Sequence, residues 1–216
     1  MKSLSKAAKY NEEGSTALEL GETSKALKHF RAGLKQLNEG CHSAQTMRSV
    51  PVTRNSAPIT AISSNPCRLG DNSVEQDISA HQPTVNFSQS FVFCAENLCD
   101  KDMTVEKQSF FSAVLIYNTA LALHQKAVHE DSPQDRKKSY LKSLLFYNES
   151  MNLLRPCAEQ TEAFRVIQEI LRNQGDIYYR LNDLGSLQRV WEELAALTKD
   201  RNVPGISQNT AVALTA

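Results

Sequence analysis

The residues best suited to chemistry in this chain of 216 residues are two pairs, Cys94 with Cys99 and His124 with His129. Thiolate and imidazole are the usual zinc ligands, and the members of a zinc-binding pair commonly stand about two to four residues apart. Both pairs here have a spacing of five, which on a helix turns the two side chains away from each other. The spacing therefore favours ordinary thiols and two surface histidines, and we expect no metal and no cofactor.

A cysteine-dependent hydrolase would need a nucleophile such as Cys157 or Cys94 beside a histidine base. Neither cysteine is part of a recognisable nucleophile turn, and the eight glycines are scattered without forming a phosphate-binding loop. Neighbouring carboxylates such as Glu192 and Glu193 point in different directions on a helix and cannot converge. We therefore predict that the chain is not an enzyme, with an unrecognised thiol or metal site as the alternative.

Charge and hydropathy argue against further classes of protein. The 24 basic and 24 acidic residues give a formal net charge of zero, whereas nucleic-acid-binding domains are usually strongly basic. No apolar run reaches the roughly 20 residues of a membrane-spanning helix, and residues 1–6 are not followed by the apolar core of a signal peptide. The odd number of cysteines, five, favours reduced thiols. We expect a cytoplasmic or nuclear protein that binds neither nucleic acid nor membranes.

Six segments have the apolar periodicity of amphipathic helices, and they form three consecutive pairs. The pairs are expected at 4–39, 105–156 and 159–199. The first is expected to end before Gly40, and Ser132 has the properties of a helix cap at the middle of the second. Leu141 and Trp191 belong to apolar stripes that should face inward. The pattern predicts an all-α fold.

The chain between the first and second helix pairs has a different composition. Residues 41–84 contain four of the seven prolines among many Ser, Thr and Asn, which is typical of a disordered insertion. In residues 85–93, by contrast, Phe87, Phe91 and Phe93 follow the period of two of a strand and are expected to lie extended against the helices. The predicted segments are a first hairpin (1–40), the insertion (41–84), the extended segment with a linker (85–104), a second hairpin (105–156), a third hairpin (157–200) and a flexible tail (201–216).

Small and aromatic residues recur at matching positions in the three hairpins, which indicates an internal repeat. They are Tyr10, Gly14, Ala26 and Phe30 in the first hairpin, Ala120 and Tyr147 in the second, and Leu171, Gly175, Tyr178 and Trp191 in the third. This pattern resembles the tetratricopeptide repeat (TPR) family, in which a small residue lets the two helices pack closely and an aromatic residue fills the space between hairpins. The resemblance implies a degenerate, right-handed array of about three antiparallel hairpins. The order of segments also resembles a group of TPR-like proteins predicted in diatoms.

In the TPR family the first helix of each hairpin lines a concave groove that accepts peptides. By resemblance, the groove positions here are Asn11, Ser15 and Glu19 in the first hairpin, Tyr117, Leu121, His124 and Gln125 in the second, and Arg172, Asp176 and Tyr179 in the third. The implied function is a scaffold or adaptor that binds another protein or a peptide, as a monomer or weak homo-oligomer. If residues 85–93 occupy the groove, a partner has to displace them. The alternative is a structural helical protein whose apolar seam continues into a second copy.

Overall fold

The computed structural model describes residues 3–45, 62–64, 90–93 and 104–200. These ranges are mostly helical, and the protein is therefore all-α in class, as the sequence predicts. The six helices are α1 (Ser3–Glu19), α2 (Thr23–Gln45), α3 (Val105–Val128), α4 (Pro133–Leu154), α5 (Thr161–Arg180) and α6 (Leu184–Asp200), with one 3-10 turn at Arg155–Cys157. Two short strands, β1 (Ile62–Ser64) and β2 (Phe91–Phe93), pair in antiparallel fashion. None of the helices in the described ranges is long and apolar enough to cross a membrane.

The helices are packed in chain order around α3. Each helix contacts the next one along the chain, and in addition α1 contacts α3, and α3 contacts α5. The helix α3 therefore touches α1, α2, α4, α5 and β2, which explains why it is apolar on nearly all sides. The odd-numbered helices lie side by side, and β2 lies on α1 and α3.

Local sequence signals set the turns that bring each pair of helices together. Gly21 has a φ of 75°, the left-handed conformation that glycine adopts readily, and it ends α1. The Ser132 hydroxyl caps α4 by accepting a hydrogen bond from the Asp135 amide at 3.3 Å, with Pro133 at the first helical position. Asn182, with a φ of 56°, turns the chain between α5 and α6.

Two predictions for the chain after the first hairpin are wrong: the end of its second helix and the absence of regular structure in the insertion. The helix α2 runs through Gly40 to Gln45, because a glycine inside a helix costs only about 1 kcal/mol and does not by itself end it. The predicted insertion at 41–84 is also wrong at Ile62–Ser64, which forms β1. Composition could not reveal this strand, because its backbone pairs with the distant β2. The remaining residues of the insertion, Phe87 and the tail 201–216 lie outside the described residues.

Of the five apolar residues predicted to form the buried face of α4, four are buried, namely Leu144, Tyr147, Met151 and Leu154. Leu141 is 48% exposed, and small polar residues take part in the contact with α3 instead. The Ser143 hydroxyl donates to the Ala120 carbonyl at 2.7 Å, and the Ser150 hydroxyl donates to the Ala113 carbonyl at 2.8 Å. Serines at these positions let α4 approach α3 closely while their hydroxyls stay paired. A pattern that counts only apolar residues therefore finds most of the buried face of α4 but misses the serines that complete it.

The matching small residues of the first and third hairpins pack differently. An added Cβ at Gly14 would lie 2.5 Å from Cε1 of Phe30, and the Phe30 ring is fully buried. An added Cβ at Gly175 would lie 3.7 Å from Trp191, an ordinary contact distance. Trp191 is 43% exposed, so the prediction that it belongs to the core is wrong. One side of the Trp191 ring lies on Gly175. The described residues contain no hairpin after α6 that would cover the other side of the ring.

The other residues of the repeat pattern lie mostly in the core. Those that are buried are Ala26, Ala120, Tyr147 and Leu171, whereas Tyr10 and Tyr178 are half-buried.

Candidate functional site

The candidate site is a groove between α1 and α3, and β2 lies in it. Each helix contributes one buried asparagine: Asn11 from the middle of α1 and Asn118 from the middle of α3. The Asn118 amide nitrogen donates to Oδ1 of Asn11 at 2.8 Å, so the two side chains form one unit, called the asparagine clamp below. Burying two amides is costly unless their polar atoms are hydrogen-bonded, and the strand supplies the missing partners.

The asparagine clamp holds the main chain of one residue, Phe91. Oδ1 of Asn118 accepts from the Phe91 N–H at 3.1 Å, while Nδ2 of Asn118 donates to the Phe91 carbonyl at 2.8 Å. Nδ2 of Asn11 donates to the same carbonyl at 2.8 Å. The Asn118 side chain therefore bonds the strand much as a neighbouring strand would, with one donor and one acceptor. These three bonds involve backbone atoms only and are independent of the side chain at this position.

The other edge of β2 is covered by β1, with Ser63 opposite Val92 and Ser64 opposite Phe91. Backbone groups of successive residues in a strand point to opposite edges. Since Phe91 directs its N–H and carbonyl to the asparagine clamp, Val92 directs its own to β1. The strand is thus bonded on both edges, by side chains of helices on one and by a strand on the other.

The side chains of β2 alternate between the helices and the outside. The Phe91 ring lies 5.3 Å from the Tyr117 ring, and the Phe93 ring lies 4.6 Å from the Phe111 ring in an edge-to-face arrangement. Both phenylalanines are buried, whereas Val92 between them is half-buried. Such aromatic pairs contribute roughly 0.5–1.5 kcal/mol each beyond the burial of their area. The surface of α3 that faces the groove therefore accepts aromatic side chains that stand two residues apart in the bound strand.

Ser90, directly before the strand, is fully buried. Its hydroxyl has no hydrogen-bond partner within the described parts of the chain, and neither has that of Ser15, which is buried on α1. The position of Ser90 therefore requires a small side chain more than it requires a hydroxyl.

Toward α5, a side chain of α3 contacts an ion pair that lies within α5. Nε2 of His124 lies 2.9 Å from Oδ2 of Asp176, and Nε of Arg180 donates to the same oxygen at 2.7 Å. Burial lowers the pKa of His124, although the hydrogen bond to Asp176 opposes this. Burial raises the pKa of Asp176, but the hydrogen bonds from His124 and Arg180 outweigh it, and the net shift is downward. A neutral His124 therefore donates its Nε2–H to an ionised Asp176.

Two tyrosines surround this ionic contact. The His124 ring stands edge-on to Tyr140 at 5.7 Å and to Tyr147 at 6.4 Å. Nearby, Nδ2 of Asn173 donates to the Tyr117 hydroxyl at 3.3 Å, so α5 also reaches the ring that contacts β2. The contact between α3 and α5 is thus made by side chains of both helices, and none of the described strands lies between them.

A histidine hydrogen-bonded to a carboxylate is the arrangement used by general bases. His124, however, is not the surface histidine expected from the sequence: it is fully buried, so no substrate reaches its ring in this conformation. Cys157 is also buried, and burial raises the pKa of its thiol, which keeps it protonated at neutral pH. His129 is exposed at the end of α3, and Cys94 and Cys99 lie outside the described residues. In the part of the chain that the structure describes, no three His, Cys, Asp or Glu residues are placed to hold a metal ion.

The positions predicted for the groove have different surroundings. Asn11 and Tyr117 contact β2, and His124 bonds Asp176. Ser15 and Leu121 are buried, Gln125 is half-buried, and Glu19, Tyr179 and Arg172 are exposed, with Arg172 paired to Glu169. Asn118, which makes most of the bonds to the strand, was not among the predicted positions. The sequence did contain one signal for Asn118: it is a polar residue inside α3, which is the most apolar of the described helices.

Comparisons of the chain with protein-family models, with curated proteins and with solved structures find no match. Its function therefore has to be inferred from the geometry of the groove and its contacts.

Proposed function

We propose that the chain is a non-catalytic protein-interaction module that binds an extended peptide segment of a partner protein between α1 and α3. One observation carries the proposal: the asparagine clamp bonds both the N–H and the carbonyl of a residue in an extended strand. Bonding of main-chain groups is the general means by which proteins hold extended peptides, and pockets for alternate side chains add specificity. Both features are present at β2.

The asparagine clamp is well suited to this role because it is preorganised. The hydrogen bond between Asn118 and Asn11 fixes the orientation of both amides, so less side-chain freedom is lost when a peptide is bound. Because the amides are uncharged, the bonds they make do not depend on pH over the physiological range or strongly on salt. These properties favour a site that recognises backbone geometry.

The order of helix contacts supports a TPR-like arrangement for the array. Consecutive helices pack on one another, and α1, α3 and α5 lie side by side. In a right-handed stack of helical hairpins the first helices line the concave surface. The groove that holds β2 is formed by two such helices, and α5 would extend the surface on its other side.

The proposal is tested by panning a library of displayed peptides against two baits, the intact chain and a variant with Phe91→Ser and Phe93→Ser, called the emptied variant. We expect retained peptides to lose binding when Asn118→Ala is added to the bait. The matched control is Asn152→Ala, an exposed asparagine of α4, which should leave binding unchanged. If neither bait retains any peptide in an Asn118-dependent way, the proposal is wrong.

A second candidate, a self-associating structural protein, is favoured by the exposed face of α6. Leu184 is 63% exposed and Trp191 is 43% exposed, and because they stand about two helical turns apart they lie on the same side of α6. Size-exclusion chromatography with light scattering tests it: self-association should disappear with Leu184→Arg and persist with the control Leu141→Arg on α4. A monomer at every concentration contradicts this candidate.

A further inference from the structure

We infer that Ser90–Phe93 is a tethered copy of the ligand, so that a partner binds by presenting an extended segment with a small residue followed by two aromatic residues two positions apart, and by displacing β2. The inference rests on the proposed function and adds to it the class of ligand and the way in which binding is regulated. It follows from three properties of the groove: how β2 is bound, which side chains fit, and how β2 is attached.

The helices contact one another independently of β2. The helix α2 packs on both α1 and α3, and α1 reaches α3 directly. The strand contributes only three residues and lies on these helices, and its other edge is covered by the three residues of β1. A two-stranded ribbon of this size is not stable by itself, and segments of this kind open more easily than packed helices. The helical array therefore keeps its own contacts when the strand leaves.

The pattern of side chains defines the ligand. Tyr117 and Phe111 on α3 each contact one aromatic ring of the strand, and these rings come from residues two positions apart. The residue between them points away from the helices and is only half-buried, so its identity matters less. The position of Ser90 is fully enclosed and accepts a small residue. The expected ligand is thus small–aromatic–any–aromatic in an extended conformation.

The attachment of β2 makes it a competitor. A segment of the same chain acts at an effective concentration on the order of millimolar, so it occupies the groove unless a partner binds more tightly or is abundant. The apparent affinity for a partner is then reduced by the fraction of molecules whose groove is empty. Loss of the two phenylalanine rings weakens this competitor and should therefore increase the affinity for an added ligand.

The test uses fluorescence anisotropy with a labelled peptide that spans residues 86–97 and carries Cys94→Ser. The full-length emptied variant should bind it at least about ten-fold more tightly than the intact chain does. Asn118→Ala added to the emptied variant should abolish binding, and Asn152→Ala should not. Peptides with Phe91→Ser or Phe93→Ser should bind about ten-fold more weakly, since each loses one buried ring. An emptied variant that remains helical but binds no better than the intact chain overturns the inference.

If the emptied variant loses its helical circular dichroism, the test is hydrogen exchange on the intact chain. It shows whether β2 separates from the helices before the whole chain unfolds. Exchange of the Phe91 and Val92 amides about 100-fold faster than that of Tyr117 and Leu121 supports a separable strand, because local opening then precedes global unfolding. Equal protection of the four amides overturns the inference.

Failure of this inference is distinguishable from failure of the proposed function. Peptides that are retained from the library in an Asn118-dependent way, but lack the aromatic pair, leave the proposed function intact and contradict the ligand class inferred here.

Discussion

The first and third hairpins have the same types of residue at matching positions and yet pack differently. In the first, the space above Gly14 is filled by the buried ring of Phe30, so closely that a single methyl group would not fit. In the third, Gly175 and Trp191 are in ordinary contact, and the indole is 43% exposed. A repeat pattern therefore identifies which residues meet, but the neighbours of a hairpin decide how tightly they do so.

The two hairpins also contact α3 by different chemistry. Toward α1, neutral amides hold a strand between the helices, whereas toward α5 a histidine meets a carboxylate that also accepts from an arginine of its own helix. The first contact does not depend on protonation, and the second does. The predictions below test these two differences, beginning with the largest expected effect.

The largest difference is expected between Phe30→Ala and Trp191→Ala in the free energy of unfolding that each variant loses. Phe30→Ala should lower the free energy of unfolding by about 3–5 kcal/mol, because it leaves a cavity in the core. Trp191→Ala should cost roughly half as much or less, because the indole is already partly in water. Urea denaturation followed by circular dichroism measures both. Equal losses would mean that the two hairpins are packed equally.

Addition of a methyl group at the two glycines should have opposite effects. Gly14→Ala should destabilise by about 1–3 kcal/mol, since the new Cβ overlaps the Phe30 ring. Gly175→Ala should be neutral or stabilise by up to about 1 kcal/mol, because the new Cβ would be in ordinary contact with Leu187 and Trp191 and alanine is the better helix former. The midpoints of thermal unfolding of the two variants should therefore move in different directions. A similar loss at both positions would contradict the difference in packing.

The two members of the asparagine clamp should differ in importance for stability. Asn118→Ala leaves the buried Phe91 N–H without its acceptor and should cost about 1–3 kcal/mol. Asn11→Ala should cost about 0.5–1.5 kcal/mol, because the Phe91 carbonyl still accepts from Asn118. Chemical denaturation measures which of the two variants loses more free energy of unfolding. The control Asn152→Ala is expected to lie within about 0.5 kcal/mol of the unchanged chain. The reverse order would show that Asn11 is the main support of the strand.

The contact between α3 and α5 should make stability depend on pH. Because burial holds the pKa of His124 below its ordinary value of 6.5, the unfolded chain takes up a proton more readily than the folded one. His124 therefore favours the folded state fully above pH 6.5, and this contribution decreases as the pH falls toward its folded pKa. Asp176, with its pKa lowered from 3.8, adds a further loss below that value.

The measurement is the free energy of unfolding of the intact chain and of His124→Gln between pH 7 and pH 5. Glutamine can still donate to Asp176 but does not titrate, so the variant should show a smaller decrease than the intact chain. Asn152→Ala, which changes an exposed and uncharged residue of α4, is the control and should show the same decrease as the intact chain. Equal slopes for His124→Gln and the intact chain would contradict the prediction.

Much of the fold could be predicted from the sequence because helices are local. Periodicity placed six helices, and the properties of Ser132 placed the turn between α3 and α4. The failures have a common cause: Leu141, Trp191 and β1 are each decided by residues distant in sequence. No local pattern indicates that a serine bonds a carbonyl of the preceding helix, or that a strand pairs across an intervening segment.

The site was predictable only in part for the same reason. Asn11 and Tyr117 were placed in the groove by the resemblance to a known repeat, which describes what a helix presents on one face. Asn118 lies next to Tyr117 in sequence, but its role depends on β2, and the resemblance has no position for such a strand. A buried asparagine in an apolar helix indicates a requirement for partners, without indicating which ones.

The bond between the Phe91 N–H and Asn118 has a consequence for the chemistry of any bound segment. Proline has no amide hydrogen, and an N-methylated residue lacks it as well. Either group at this position would forfeit that bond and place carbon against the oxygen of Asn118. Natural sequences with proline at the first aromatic position are therefore excluded as ligands, and a single N-methyl group distinguishes binding through the backbone from binding through the aromatic rings alone.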